Sequence, residues 1–335
     1  MKVSELGEFG LINRLAEMAN KASDKSIAAW QQLIIGIGDD AAGWQSDAAA
    51  QLATVDSLIQ DVHFSLDITP WQDLGWKALA ANLSDIAAMG GVPRYALVSL
   101  ALPKDTEVED ATSLYRGMIE LAQQSGVAII GGDISRAPLV MISITVLGNA
   151  RNNDMLTRSA AKPGEQVAVT GYLGAAAAGL EMLTSQLPFD TEVTGSLRDA
   201  FLHPCPRIAE GQLLLEKGIK AAIDISDGLL ADLGHICQQS RVGARVEIER
   251  VPTHSAAKAG FGDRALEMAL SGGEDYELLF TGSTEVISRL KTTASCPITV
   301  IGEITADNIG RVTLIDCQGK PVKPGKTGWE HFSIK

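Results

Sequence analysis

Aspartates recur in short segments rich in glycine, serine and alanine, and these segments lie far apart along the chain. The segments are GIGDDAA (Asp39, Asp40), TVDS (Asp56), NLSDIAAMGG (Asp85), GGDIS (Asp133) and IDISDG (Asp224, Asp227). Acids on loops between apolar runs can converge in the folded protein, and carboxylate oxygens beside small residues suit Mg²⁺ with a phosphate group close by. The recurrence of this pattern predicts a magnesium and phosphate site.

Two of these aspartates stand where a charge needs a partner. Asp224 interrupts an apolar strand, and a buried carboxylate costs several kcal/mol unless it is paired or bound to metal. Asp85 lies on a small and largely uncharged helix face, whereas a solvated helix surface carries more charge. We therefore favour a ligand role for both. A structural alternative stays open beside Asp224, because Ser226 or Asp227 could cap the helix that follows.

Turns containing glycine are expected around two further aspartates. One of the two acids after Gly-Ile-Gly would serve the turn itself, and we favour Asp40 as the ligand because small residues follow it. Asp133 is predicted to follow a strand and a Gly-Gly turn, which would put backbone N–H groups beside a carboxylate. A turn without any ligand is the alternative for Asp133.

The segment GGEDYELLF places three acids between two glycines and an apolar strand. Glu274 is predicted at the mouth of the site, whereas Asp275 and Glu277 are either part of it or solvated charges. His63 lies near an acidic motif, although a lone histidine more often has a structural role.

Two motifs come close to known nucleotide-binding loops without matching them. GIGDDA has the glycine spacing of a dinucleotide fold, but two aspartates would face the pyrophosphate and no convincing helix follows. GKPVKPGKT resembles a P-loop, but it has five residues between its glycines and contains two prolines. Phosphates must therefore be bound by another device, and the aspartates are the best candidate.

The composition narrows the class of protein. A net charge of −13 repels nucleotides and nucleic acid unless metal ions reverse the local sign. The four cysteines are widely spaced without a CxxC pair, which argues against a zinc knuckle or a disulfide framework. MKVSELGEF does not read as a signal peptide, and no charge-free apolar run reaches the roughly 18 residues that span a bilayer. We expect a soluble, cytoplasmic protein with no nucleic-acid or membrane partner.

Helices and strands alternate along the chain, and they must position these acids. The predicted helices are 9–19, 74–89, 114–124, 175–183, 207–216 and 229–239, and the predicted strands are 33–37, 52–55, 95–102, 127–130, 139–147, 166–170 and 221–225. The composition turns polar at 150–159, where we place a domain boundary. This predicts two α/β or α+β domains, 1–150 and 151–335.

Taken together, the motifs resemble those of the thiamine-monophosphate kinase family, which belongs with aminoimidazole ribonucleotide synthetase and selenophosphate synthetase. The matching segments are GEFGLI, GIGDDAA, DSLIQDVHF, KALAANLSDIAAMGGVPRYALVSLALP, IIGGDISRAP, TRSAAKPGE, IDISDGLLADLGHI, LSGGEDYELLF and GWEHF. The resemblance implies a two-domain synthetase-like fold. In it, the mixed N-terminal sheets of a homodimer close into a barrel, and the C-terminal domain is an α/β sandwich.

The same resemblance implies the site residues. Several Mg²⁺ ions would be bound by Asp40, Thr54, Asp56, Asp85, Asp133, Asp224 and Asp227. ATP, the co-substrate, would be contacted by Tyr115, Gly132, Asp133, Arg158 and Ser226. Thiamine monophosphate would be bound by His63, Glu274 and Trp329. Two positions depart from the family pattern: Thr54-Val55-Asp56 replaces Ser-Thr-Asp, which removes one hydroxyl, and Ile134 stands in GGDIS where GGDTT is commoner.

The implied reaction moves the γ-phosphoryl group of ATP onto the phosphate of thiamine monophosphate. The acceptor is already an anion, so no general base is needed, and electrostatics and positioning carry the catalysis. Selenophosphate synthetase would need a reactive cysteine near its N-terminus, whereas the first cysteine here is Cys205. The hydrogenase-maturation relative would need a C-terminal cysteine, whereas this sequence ends in FSIK. A non-catalytic sensor of magnesium and nucleotide is the alternative from another class.

Overall fold

Each half of the chain is built around one mixed β-sheet. The structure is a computed structural model that describes residues 33–35, 42–45, 50–326 and 328. The first sheet has the order β1-β2-β3-β6-β4-β5, and its neighbours are antiparallel except for the parallel pair β4 and β5. Its strands are β1 (Leu33–Ile35), β2 (Ala42–Gln45), β3 (Ala50–Ile59), β4 (Val92–Leu102), β5 (Ala128–Arg136) and β6 (Met141–Asn149).

Two long helices cover one face of this sheet. They are α1 (Trp71–Ala88) and α2 (Val108–Ser125), which pack against each other. The alternating residues of the central strands decide which face they cover, because Val98 and Ile144 are buried under the helices. Residues that alternate with the buried ones along these strands point to the opposite face of the sheet. Val55, Leu97 and Tyr95 are therefore exposed on this outer face.

The second sheet has the order β13-β12-β9-β11-β7-β10-β8, with only β12 and β9 parallel among these pairs. Its strands are β7 (Gln166–Thr170), β8 (Ala221–Asp224), β9 (Gly243–Glu247), β10 (Leu278–Gly282), β11 (Ile298–Thr305), β12 (Val312–Ile315) and β13 (Pro321–Val322). The accompanying helices are α3 (Ala175–Ser185), α4 (Thr191–Leu202), α5 (Ile208–Glu216), α6 (Leu229–Ser240), α7 (Ser255–Phe261), α8 (Arg264–Ser271) and α9 (Thr284–Thr293), with a 3₁₀ turn at Ile248–Arg250.

Both faces of the central strands in this sheet are buried. Val167 and Val169 belong to a core with α6, while Ala168 between them belongs to a core with α5 and α9. Strands covered on both faces read as continuous apolar runs, which is why the sequence identified β7 at its observed bounds.

Helix α1 joins the two halves. Its C-terminal residues Ala87 and Ala88 belong to the same core as residues of α5 and the second sheet. The approach is close, since a Cβ at Gly211 would lie 2.0 Å from the carbonyl oxygen of Ala87. Residues near the C-terminal end of α1 therefore face the second half of the chain.

One expected element is wrong. Asp133 does not follow a Gly-Gly turn, because β5 continues through both glycines and Asp133 to Arg136. The reason is the tight parallel pairing with β4, in which a Cβ at Gly132 would lie 1.8 Å from the carbonyl oxygen of Val98. The glycine permits close strand contact rather than a turn. The predicted helix at 9–19 lies outside the described residues, and none of the described helices is long and apolar enough to cross a bilayer.

Candidate active site

A cavity of about 340 Å³ lies between the two halves, and carboxylates from separate segments line it. The first half contributes from β3 and from the last turn of α1, and the second half from the end of β8, the loop before α6 and the loop before β10. The acidic lining residues are Asp56, Asp85, Asp224, Asp227 and Glu274. The structure thus brings together, at one cavity, five of the acids that the scattered motifs singled out.

Polar side chains of α1 and β3 fix the carboxylates in place. The hydroxyl of Thr54 donates a short hydrogen bond to Asp85, and Ser84 donates to the buried Asp224 at 2.7 Å. The amide oxygen of Asn82 accepts the backbone N–H of Asp56 at 3.1 Å. One turn of α1 thus makes hydrogen bonds with both β3 and β8.

Asp85 occupies an unfavourable place for a negative charge. It lies in the last turn of α1, where the partial charge of the helix terminus is negative, and that turn holds no basic residue. A carboxylate in this position favours a cation beside it. The same holds for the cavity as a whole, since none of its lining residues in the described part of the chain is lysine or arginine.

The loop before α6 is organised by a buried acid that the sequence reasoning missed. Asp232 accepts the backbone N–H groups of Ser226, Asp227 and Gly228 through one carboxylate oxygen, at 3.0 to 3.1 Å. The alternative that Ser226 or Asp227 caps the helix is wrong, because Gly228 is the N-cap and no side chain caps it there. The side chains of Ser226 and Asp227 instead line the cavity.

Arg158 interacts electrostatically with Asp232, the acid that organises this loop. Burial, followed by the charges of Asp227 and Asp224, raises the pKa of Asp232 well above its usual value, while Arg158 lowers it. Arg158 is not a lining residue of the cavity. Its charge therefore acts on Asp232, the acid that binds the loop carrying Ser226 and Asp227.

The segment before β10 lies alongside this loop and is strained. The backbone N–H of Glu274 donates to the carbonyl of Ser226 at 2.8 Å, and that of Tyr276 donates to Ile225 at 2.9 Å. Both Glu274 and Tyr276 have positive φ, 68° and 49°. Such conformations cost about 1–3 kcal/mol in a non-glycine residue and cluster at functional sites.

The two other acids of this segment are not solvated charges, so that alternative is wrong. Asp275 accepts the backbone N–H groups of Gly174 (2.7 Å) and Ala176 (3.2 Å) and so caps α3. Burial raises the pKa of its carboxyl group to about 7, although these hydrogen bonds oppose the shift. Glu277 is buried and accepts two hydrogen bonds from Arg207. Both acids hold the segment in place.

Lys77 is a second residue that the sequence reasoning missed. Its ammonium lies 2.9 Å from the Glu274 carboxylate, and its side chain is 1% exposed. The signal in the sequence is a lysine within the apolar face of α1, two turns before Asp85. A charged residue on the apolar face of a helix is unusual, and Lys77 stands out in the sequence for the same reason as Asp85.

The pKa of the Tyr276 phenol is affected by several of these acids. Burial is the largest cause that raises its pKa well above the usual value. The further causes are charges from both halves of the chain, namely Glu274, Asp56, Asp224 and Asp85. The charges of these four carboxylates therefore all act on one phenol group.

The remaining wall of the cavity is apolar, with one histidine. His63 lines it, and its Nδ1 accepts the backbone N–H of Ile59 at 3.0 Å, so its structural and binding roles are compatible. The apolar lining residues are Leu58, Val62, Ala81, Ala177 and Leu180. The cavity thus offers carboxylates together with a surface that suits a heterocycle.

Several predicted site residues lie elsewhere. Asp133 is exposed on the edge strand β5 opposite Ser99, and neither it nor Gly132 lines the cavity. Tyr115 is half-buried on α2 against the first core. Asp40 and Trp329 lie outside the described residues.

The donor set fits Mg²⁺. Carboxylate and hydroxyl oxygens are the hard ligands that this ion prefers. Four aspartates lie around a cavity where the described walls hold no lysine or arginine, and a cation bound between them would relieve their mutual repulsion.

The chain belongs to the AIR synthase related proteins. The N-terminal domain of that family matches residues 38–150, and its C-terminal domain matches residues 162–315. Thiamine-monophosphate kinase from Escherichia coli K12 is 39% identical over 337 residues, which covers 98% of each chain. The Bacillus subtilis enzyme of the same name is 38% identical over 308 residues, 89% of this chain and 93% of that one. A solved structure of AaThiL complexed with AMPPCP and TMP is 33% identical, with a TM-score of 0.85 and 99% of each chain covered.

The chain therefore belongs to the thiamine-monophosphate kinase family. The family assignment made from the motifs is confirmed.

Proposed function

We propose that the protein, at this cavity, transfers the γ-phosphoryl group of ATP to the phosphate of thiamine monophosphate, giving thiamine diphosphate and ADP. The observation that carries this is the convergence of Asp56, Asp85, Asp224 and Asp227 in one cavity with an apolar wall. Full-length similarity to named thiamine-monophosphate kinases supports the choice of acceptor.

Several Mg²⁺ ions would be held at the cavity by Thr54, Asp56, Asp85, Asp224 and Asp227. The assignment of Asp40 and Asp133 to the same ions rests on the resemblance of their motifs to those of the family. When bound, Mg²⁺ supplies the positive charge that lets two phosphate anions approach. Two of the carboxylates that would bind Mg²⁺ are oriented by hydrogen bonds, because Ser84 donates to Asp224 and Thr54 donates to Asp85. No side chain is needed as a base, because the attacking oxygen of the acceptor is already anionic.

The acceptor would lie against the apolar wall, with His63, Glu274 and Trp329 as its contacts. His63 uses Nδ1 to accept from the backbone, so its neutral form carries the ring proton on Nε2. An N–H group of this kind suits a phosphate oxygen. Glu274 supplies a negative charge suited to the cationic heterocycle of thiamine.

The nucleotide would contact Tyr115, Gly132, Asp133, Arg158 and Ser226. Ser226 is at the cavity, and Arg158 acts on the loop that carries it. The assignment of Tyr115, Gly132 and Asp133 rests on the resemblance of their motifs to those of the family.

We also propose a homodimer formed through the outer face of the first sheet, with the paired sheets closing into a barrel. Val55 and Leu97 lie on either side of Thr145 in adjacent strands and are 60% and 38% exposed. Apolar side chains in a row on an uncovered sheet face favour association. Light scattering should give the mass of a dimer, and Val55→Lys should shift it toward a monomer. The four cysteines are free, which suits the reducing cytoplasm, where we place the enzyme.

The activity is tested by incubating the purified protein with ATP, Mg²⁺ and thiamine monophosphate and separating the products by chromatography. Thiamine diphosphate should form only when metal and acceptor are both present, with EDTA and no-acceptor controls. ADP release without thiamine diphosphate would assign another acceptor. Nucleotide binding without turnover would indicate the sensor.

A further inference from the structure

Lys77 places an ammonium group behind the predicted acceptor carboxylate. Its Nζ lies 2.9 Å from Glu274 Oε2 and 3.5 Å from the centroid of the Phe201 ring. Burial lowers the pKa of Lys77, whereas the charge of Glu274 and the hydrogen bond to it raise it. An ammonium removed from water requires a partner, and in the described part of the chain Lys77 contacts this carboxylate and the face of the Phe201 ring.

The two side chains of this ion pair differ in their exposure, and only Glu274 faces the cavity. The Lys77 side chain is 1% exposed, whereas that of Glu274 is 27% exposed and lines the cavity. Lys77 therefore cannot meet a substrate directly, but it can set the orientation of the group that does. The backbone of Glu274 is fixed independently, by its positive φ and by its hydrogen bond to Ser226.

We propose that Lys77 is a positioning residue for the acceptor, which holds Glu274 through Oε2 and leaves Oε1 free to bind thiamine monophosphate. This inference rests on the proposed function and deepens it. No other feature of the described cavity walls gives Glu274 a fixed side-chain direction.

The position of Lys77 on α1 adds a second consequence. Lys77 and Asp85 are eight residues apart on one helix, roughly 12 Å along its axis. A rigid helix thus connects the group that orients Glu274 with a predicted metal ligand. The ring end and the phosphate end of the acceptor are set at a fixed spacing by one element.

The test is steady-state kinetics of Lys77→Met, which keeps an unbranched side chain under Phe201 and removes the charge. We expect KM for thiamine monophosphate to rise about tenfold, the loss of one charge-assisted hydrogen bond, while KM for ATP changes less than about twofold. Lys220→Met is the matched control, because Lys220 is half-exposed and pairs with the exposed Asp154. It should leave both KM values unchanged.

A double-mutant cycle separates positioning from a merely structural role. If Lys77 acts through Glu274, Lys77→Met combined with Glu274→Gln should have the same acceptor KM as Glu274→Gln alone. This comparison also serves if Lys77→Met by itself fails to fold, since the double variant leaves no unpaired charge. Multiplied effects, or a parallel rise in both KM values, would overturn the proposal. A wild-type protein that forms no thiamine diphosphate would instead overturn the proposed function.

Discussion

The Glu277→Gln variant should lose stability far beyond what a surface charge contributes. Glu277 accepts from both Nε and Nη2 of Arg207 and from the hydroxyl of Thr170 at 2.6 Å. The side chains of the ion pair are 7% and 22% exposed. Glutamine keeps the shape of the side chain but leaves a guanidinium group with little water and without its counter-charge.

The magnitude follows from this burial. Breaking a buried ion pair from one side costs about 3–5 kcal/mol, and we take about 3 kcal/mol because a fifth of Arg207 still meets water. A chain of 335 residues has an unfolding entropy of about 0.7 kcal/mol/K, so Tm should fall by about 4 °C.

Scanning calorimetry measures this directly, with Glu303→Gln as the matched control. Glu303 pairs with Arg245 at 2.8 Å, but both side chains are about half exposed. An exposed pair contributes about 0–1 kcal/mol, so Tm should change by about 1 °C or less. Equal shifts in the two variants would refute the argument that burial decides the value of the Glu277 pair.

Three further predictions concern the cavity and its surroundings. Asp85→Asn and Asp224→Asn should each lower kcat about 100-fold or more while Tm stays within a few degrees, and near-normal turnover of either at limiting Mg²⁺ would contradict its ligand role. Burial raises the pKa of Asp275 from 3.8 to about 7 in the folded protein. Between about pH 4 and 7 the folded protein therefore keeps a proton on Asp275, whereas the unfolded chain has lost it. The free energy of unfolding should therefore fall as pH rises through this window, and urea titrations should show a smaller fall in Asp275→Asn. Gly132→Ala should lower Tm by several degrees, since its Cβ would lie 1.8 Å from the carbonyl oxygen of Val98.

The sequence predicted the acids of the cavity because their chemistry stands out locally. Asp224 interrupts an apolar strand, and Asp85 lies on a helix face without other charges. Each is visible within a few residues of chain. The buried strands β7 and β8 were visible for the same reason, as short apolar runs.

The groups that hold these acids were not predictable in the same way. Asp232 reads as an ordinary charge in the first turn of a helix, yet it binds three backbone N–H groups of the preceding loop. The partners of Glu277 and Glu274, Arg207 and Lys77, are 70 and 197 residues away in sequence. Such pairs are set by tertiary packing, which local patterns do not encode.

Asp133 shows how local rules can fail. Two glycines before an acid favour a turn, but the pairing of β5 with β4 overrides that preference and extends the strand. Its place on the sheet edge depends on the whole sheet order, which no single segment reveals.

The proposed reaction is direct transfer of the γ-phosphoryl group to the acceptor phosphate. The most direct measurement uses ATP labelled in its γ-phosphate, with thiamine monophosphate and Mg²⁺, and follows the label into the products. Direct transfer predicts label in the terminal phosphate of thiamine diphosphate, with one ADP formed for each product molecule. Formation of AMP, or thiamine diphosphate without label in its terminal phosphate, would contradict it.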